Sequence, residues 1–276
     1  MEKLKISFIG AGNMAGSLIG GLLADGKAPA TINIADINPD QLRKLQQRFA
    51  VTLCQSNIEA TESADILVLA VKPQGLKTVA EEIRDSVQAK KPLVISIAAG
   101  VREKEINRWL GGDVAIVRAM PNTPALIQAG ATALYANSKV SNDRRNIAET
   151  IMRAVGVVLW IEDEQQMDVV TALSGSGPAY FFLFMETLEA AGHALGLNKE
   201  TARLLTLQTA FGATKMALES TEDCATLRQR VTSPGGTTEQ ALRIFEEGNL
   251  RQLISQAVTA AAKRSEELAQ QFGEEH

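Results

Sequence analysis

The sequence predicts an α/β fold, a doubly wound, mostly parallel sheet followed by an all-α domain, and three patterns carry that reading. Over about the first 160 residues, short β-like runs alternate with amphipathic helical stretches. The runs are continuously apolar, as strands covered on both faces must be. After Glu162-Asp163-Glu164 the β-like pattern stops and helical periodicity takes over. Residues 1–162 are therefore expected to form the sheet domain and residues 163–276 the helical one.

Leu4–Ile9 is the first expected strand, and Asn13–Asp25 the helix that follows its turn. Thr31–Ala35 leads into Pro39–Arg48, a helix begun at Asn38-Pro39. Ile66–Ala70 with Gly75–Gln88, Leu93–Ile97 with Glu103–Leu110, and Val114–Val117 continue the alternation, while Ala131–Ala136 and Val157–Ile161 extend the sheet. Helices are then expected over Met167–Leu173, Pro178–Leu195, Lys199–Ser220, Cys224–Arg230, Thr238–Glu246 and Leu250–Phe272. Pro178 stands where a first-turn proline is tolerated, after a flexible Ser174–Gly177 stretch. The run from Tyr180 to Met185 is apolar all round its helix, which requires burial in a core or against a second subunit. Alanine-rich, weakly amphipathic neighbours favour the subunit interface.

Composition narrows the function. With 45% apolar and 22% charged residues the chain is globular, and a net charge of −4 without basic blocks argues against nucleic acid. Aromatics, at 4%, supply no stacking platform for single strands. Cys54 and Cys224 cannot build a disulfide framework, and neither has a Cys or His at metal-ligand spacing. Reduced thiols in a cytoplasmic protein without a metal are expected. Lys3 and Lys5 before an apolar run imitate a signal peptide, but Gly10, Gly12 and Asn13 break the run. No window approaches the ~18 apolar residues that cross a membrane.

The first turn reads as a dinucleotide site. Ile9, Gly10, Ala11, Gly12, Asn13 and Met14 follow a strand and open a helix, in the spacing G-x-G-x-x-A completed by Ala15. Gly10 permits the tight turn, Gly12 admits the pyrophosphate to the helix N-terminus, and Ala15 allows close helix–strand packing. Ligands of such Rossmann-type sheets lie at the carboxyl ends of the strands. Those ends carry Asp36, then Ala70-Val71-Lys72-Pro73, then Ala98-Ala99-Gly100, then Met120-Pro121-Asn122. Small residues at Ala98–Gly100 would let a nicotinamide lie on backbone, and Lys72 and Asn122 offer polar contacts. Asp36 suits an adenosine 2′-hydroxyl and leans toward NADH, yet it could equally cap the helix at Asn38-Pro39. Arg43, one turn further on, could reach a phosphate.

A second site stands late in the chain. Val231–Thr238 combines a Ser-Pro turn, two glycines and two threonines ahead of an amphipathic helix. Free amides and the positive helix end invite an anion there, with Gly235 and Gly236 letting the ligand approach and Thr237 and Thr238 adding hydroxyls. Acid–base candidates are thin: His276 is terminal and His193 lies in an alanine-rich helix. Hydride transfer to an electrophilic carbon of a small carboxylate is a reaction that needs little from side chains.

Taken together, the motifs resemble those of the pyrroline-5-carboxylate reductases. GAGNM is joined by AVKP at Ala70–Pro73, SIAAG at Ser96–Gly100, RAMPNTPA at Arg118–Ala125, LSGSGPAYFF at Leu173–Phe182 and VTSPGGTT at Val231–Thr238. The resemblance implies a Rossmann domain, a helical dimerisation domain and active sites built across a homodimer or larger homo-oligomer. It also implies that NADPH or NADH reduces the ring C=N of 1-pyrroline-5-carboxylate to L-proline, the last step of proline biosynthesis. The substrate carboxylate would rest on the amides of Gly235, Gly236 and Thr237, and the catalytic Thr238 hydroxyl would bond the imine nitrogen. Glu164, Ser233 and, near the adenosine, Asn57 are further site residues on the same grounds. Asp36 departs from the pattern, since many members favour NADPH and carry a neutral residue there. A β-hydroxyacid dehydrogenase would need a lysine in the helix of Gly177–Gly192, which has none. An F420-dependent reductase and a non-catalytic nucleotide sensor are the remaining alternatives, and a sensor has no need of the Ser233–Thr238 cradle.

Overall fold

A computed structural model of the chain describes residues 3–274. Its strands are β1 (Ile6–Ile9), β2 (Ile32–Ala35), β3 (Thr52–Leu53), β4 (Ile66–Leu69), β5 (Leu93–Ser96), β6 (Ile116–Met120), β7 (Gly130–Ala136) and β8 (Gly156–Trp160). They form one eight-stranded sheet in the order β3-β2-β1-β4-β5-β6-β7-β8. Neighbours run parallel except β6 and β7, which are joined by a short 3₁₀ turn at Thr123–Ile127 that leaves no length for a crossover. The chain reverses its winding between β1 and β4, so a crevice opens at their carboxyl ends.

The helices among these strands are α1 (Asn13–Ala24), α2 (Pro39–Phe49), α3 (Asn57–Glu62), α4 (Pro73–Lys90), α5 (Glu103–Trp109) and α6 (Asn142–Arg153). Every residue of β1, β2, β4 and β5 is buried, with Phe8 and Ile34 facing one core cluster and Ile9 and Leu67 the other. Three of these elements lie outside the sequence expectation. β3 is only two residues long and pairs with β2 alone, and α3 is barely longer than a turn. α6 buries Ala148, Ile151 and Met152 and half-buries Ile147, a short apolar stripe among eight polar residues that does not stand out.

The remaining elements are α7 (Gln166–Val170), a π-helical turn at Thr171–Gly175, α8 (Gly177–Ala194), α9 (Lys199–Glu219), α10 (Cys224–Arg230), α11 (Thr237–Glu247) and α12 (Leu250–Glu274). The Ser174–Gly177 stretch, expected to be flexible, runs instead through this π turn into α8. Gly175 packs so closely there that a Cβ would lie 2.5 Å from the Met120 methyl.

Two compact units result, one made of residues up to Ser176 with those from Ala260 onward, the other of Gly177–Thr259. The expected boundary at residue 162 falls inside the first unit, because Met167 and Val170 pack against Ala133 and Ile161 of the sheet. In the second unit α8 and α9 bury one residue each, Gly177 and Ala202. Phe181 and Phe182 are 67% and 65% exposed. Among the described residues no helix is long and apolar enough to cross a membrane, and no cluster of His, Cys, Asp or Glu could hold a metal.

Candidate active site

The turn after β1 is built as a dinucleotide turn must be. Gly10 has φ +105°, and a Cβ there would lie 2.5 Å from the Ala70 carbonyl oxygen. Its N–H donates to the Ala35 carbonyl at 2.8 Å, so three strand ends meet on one residue. Gly12 is the N-cap of α1, without a side-chain cap, and a Cβ on it would meet nothing within 4 Å. The amides at this helix start thus face open space, which suits a pyrophosphate.

Ile9, Gly10, Gly12, Asp36, Asn57, Ala70, Val71 and Lys72 line one cavity of about 510 Å³, together with Ile37, Asn38, Gln41 and Gln74. Ala11 and Asn13 open instead onto a neighbouring groove of about 790 Å³ along α1, and Met14 packs into the core. Pro73 occupies the first turn of α4, which fixes Lys72 as an exposed N-cap. Asn57 is buried and donates to Glu82 Oε2 at 2.8 Å. Gly100, in the left-handed region at φ +72°, lies under Leu268 and Phe272 of α12, so its small size serves packing there. Ala98 is buried beside it. The Asn122 side chain is committed at both ends, donating to Ser174 and accepting from the Ala131 N–H at 2.9 Å.

Glu164 sits in a polar knot that residue-by-residue reading missed. Its carboxylate accepts from Arg118 Nη1 at 2.8 Å and from the Glu103 N–H at 2.6 Å. Arg102 bonds the Glu164 carbonyl and pairs with Asp168, which in turn accepts from Ser265 Oγ of α12 at 2.7 Å. Burial pushes the Arg118 guanidinium below its ordinary value, and Glu164 supplies the compensating charge. The available signal was Arg118 itself, a cation inside an apolar strand.

The cradle opens α11. Gly236 is an N-cap with no side-chain partner, and Gly235 adopts φ +70°. Of the three amides expected to hold an anion, two are engaged. Gly236 N–H donates to the Ser233 carbonyl at 2.9 Å and Gly235 N–H to Glu239 Oε2 at 2.8 Å. The Thr237 and Thr238 amides stand at the uncapped start of the helix, where the dipole is positive. His193, by contrast, bonds the Leu197 carbonyl through Nδ1 at 2.8 Å and belongs to the end of α8. His276 lies outside the described residues.

Comparison with known proteins places these features in one family. Residues 164–268 match the model described as pyrroline-5-carboxylate reductase dimerisation, and residues 5–100 that of NADP oxidoreductases, coenzyme F420-dependent. The chain is 49% identical to a pyrroline-5-carboxylate reductase of Pseudomonas aeruginosa over 274 residues, covering 99% of this chain and all of that one. A solved pyrroline-5-carboxylate reductase from Coxiella burnetii superposes with a TM-score of 0.92 at 51% identity, covering 96% of this chain and 98% of the other. The Plasmodium falciparum pyrroline carboxylate reductase, solved with NADP bound, gives 0.87 at 30% identity over 98% and 99%. Sheet order, dinucleotide turn, cradle and near-full-length identity agree, and the chain belongs to the pyrroline-5-carboxylate reductase family.

Proposed function

We propose that this chain, as a homodimer, reduces the ring C=N of 1-pyrroline-5-carboxylate to L-proline with NADH or NADPH. The observation that carries the reading is 49% identity over 99% of the chain, with the turn at Gly10–Gly12 and the cradle at Ser233–Thr238 both intact. Residues 1–162 hold the dinucleotide on this reading, and residues 163–276 supply dimerisation and the cradle. Free thiols at buried Cys54 and exposed Cys224 suit the reducing cytoplasm.

The residues fit a dinucleotide. Gly10 brings backbone against backbone, Gly12 leaves room over the α1 amides, and Lys72 offers a cation at the end of β4. When bound, the reduced nicotinamide supplies a hydride to the imine carbon, while the ring nitrogen keeps the proton of its iminium form and becomes an amine. The chain's part is orientation. Amides of Thr237 and Thr238, and of Gly235 if it exchanges Glu239 for the ligand, hold the substrate carboxylate, with the Ser233 hydroxyl beside them. The Thr238 Oγ1 accepts from the ring N–H and keeps the iminium in register for transfer. Because an iminium is already electrophilic, no strong general acid is required. Glu164 acts through Arg118 and the Glu103 amide, fixing the start of α5.

Steady-state oxidation of each dinucleotide on addition of pyrroline-5-carboxylate tests the proposal. Wild type should turn over, and Thr238→Ala should lose roughly 10- to 100-fold in kcat with dinucleotide binding intact. Near-normal kinetics in the variant would remove Thr238 from the imine, and binding without turnover in wild type would favour a nucleotide sensor.

A further inference from the structure

We infer that Asp36 makes this enzyme select the dinucleotide lacking a 2′-phosphate, with a carboxylate that also fastens the pyrophosphate turn. The inference deepens the reductase reading above and rests on it for turnover. Asp36 ends β2 at the rim of the 510 Å³ cavity. Its Oδ2 accepts from the Ala11 N–H at 2.6 Å, inside the Gly10–Gly12 turn, and its Oδ1 from the Asn38 N–H at 2.7 Å. Each oxygen retains a lone pair, so the carboxylate can still accept from the hydroxyls of an adenosine ribose.

The helix-start amides and the arginine that could receive a phosphate beside it are already engaged. The N-terminus of α2 is closed: Pro39 has no N–H, and the Asp40 and Gln41 amides donate to Asn38 Oδ1 at 3.0 and 3.3 Å. Arg43 is paired with Asp40. The Asn57 amide is held by Glu82, which adds another acid near the same end. Among the described residues Lys72 is the one cation lining this cavity, and it belongs to the β4 side. Lys44 and Arg48 line the other groove. A 2′-phosphate would therefore meet the Asp36 carboxylate without an unpaired cation or a free helix-start amide beside it. Moving Asp36 aside to admit it would release the Ala11 amide and loosen the turn that holds the pyrophosphate.

The test is kcat/KM for NADH and NADPH, with dissociation constants for both measured by nicotinamide fluorescence in the absence of substrate. Wild type should favour NADH by about tenfold or more. Asp36→Ser should shrink that ratio by about tenfold while lowering NADH efficiency, because the Ala11 clamp is lost. Ile37→Arg, at a site 94% exposed on the cavity rim, should raise NADPH affinity and decide the matter if the first variant does not fold. A wild-type preference for NADPH, or a ratio unmoved by both substitutions, overturns the inference. Turnover failing with both dinucleotides would overturn the reductase reading alone, since the binding ratios report on Asp36 independently.

Discussion

A Cβ at position 10 would collide with the Ala70 carbonyl and sit at φ +105°, two penalties on one residue. Gly10→Ala should lower stability by about 1–3 kcal/mol and abolish tight dinucleotide binding, read by thermal melts and fluorescence titration. The sequence already pointed to this glycine, because its spacing reports a backbone conformation. It could not point to Asn122 or Gly100 in the same way. Their partners, Ser174 for one, Leu268 and Phe272 for the other, come from distant chain. Glu239 is a similar case: nothing local shows that its carboxylate reaches back to the Gly235 N–H. On the function proposed above, that carboxylate would compete with the substrate's own for one amide and repel it. Glu239→Gln keeps an acceptor for the amide but removes the charge, so KM for pyrroline-5-carboxylate should fall by about two- to threefold with kcat little changed. A raised KM would mean that the charge is not opposing the substrate.

At the scale of elements, the start of α5 is held by Glu164, which accepts from both the Glu103 N–H and Arg118. Burial pushes the Glu103 carboxyl above its ordinary 4.5, the Glu164 charge adds to this, and the Asn137 bond to Glu103 Oε1 at 2.6 Å pulls the other way. Between its unfolded and folded pKa values the native state binds the extra proton. Stability due to this group therefore falls as pH rises through that interval and stays lower above it. Glu103→Gln keeps the acceptor for Asn137 and removes the ionisation, so it should raise Tm at pH 7.5 and change it little at pH 4. Equal shifts at both pH values would place the effect in packing. Elements such as β1, β4 and α9 were readable because a long apolar pattern announces each of them. The Arg118–Glu164–Arg102–Asp168–Ser265 knot was not, since it joins β6, α5, α7 and α12 across wide separations. β3 and α6 escaped for a different reason, carrying too few apolar residues to set a period.

For the whole molecule, the decisive feature is apolar surface that the chain leaves uncovered. Phe181, Phe182 and Leu183 on α8, and Leu204, Leu205 and Phe211 on α9, are exposed, and the region matched to the dimerisation model contains them all. A monomer in water would keep this surface wet at a cost that grows with its area, so a second copy is the natural cover. The first unit needs no such help, for its strands and helices enclose two core clusters of their own. The two properties should therefore separate under mutation. Phe182→Glu places a charge in the apolar face, and sedimentation should show a shift from dimer to monomer. Reductase activity should fall with it and return in part as protein concentration is raised. Dinucleotide affinity, assigned by the proposal to Gly10, Gly12 and Asp36, should remain within about twofold of wild type. A variant that stays dimeric with full activity would take Phe182 out of the interface, and one that loses dinucleotide binding as well would show that the sheet unit does not stand alone.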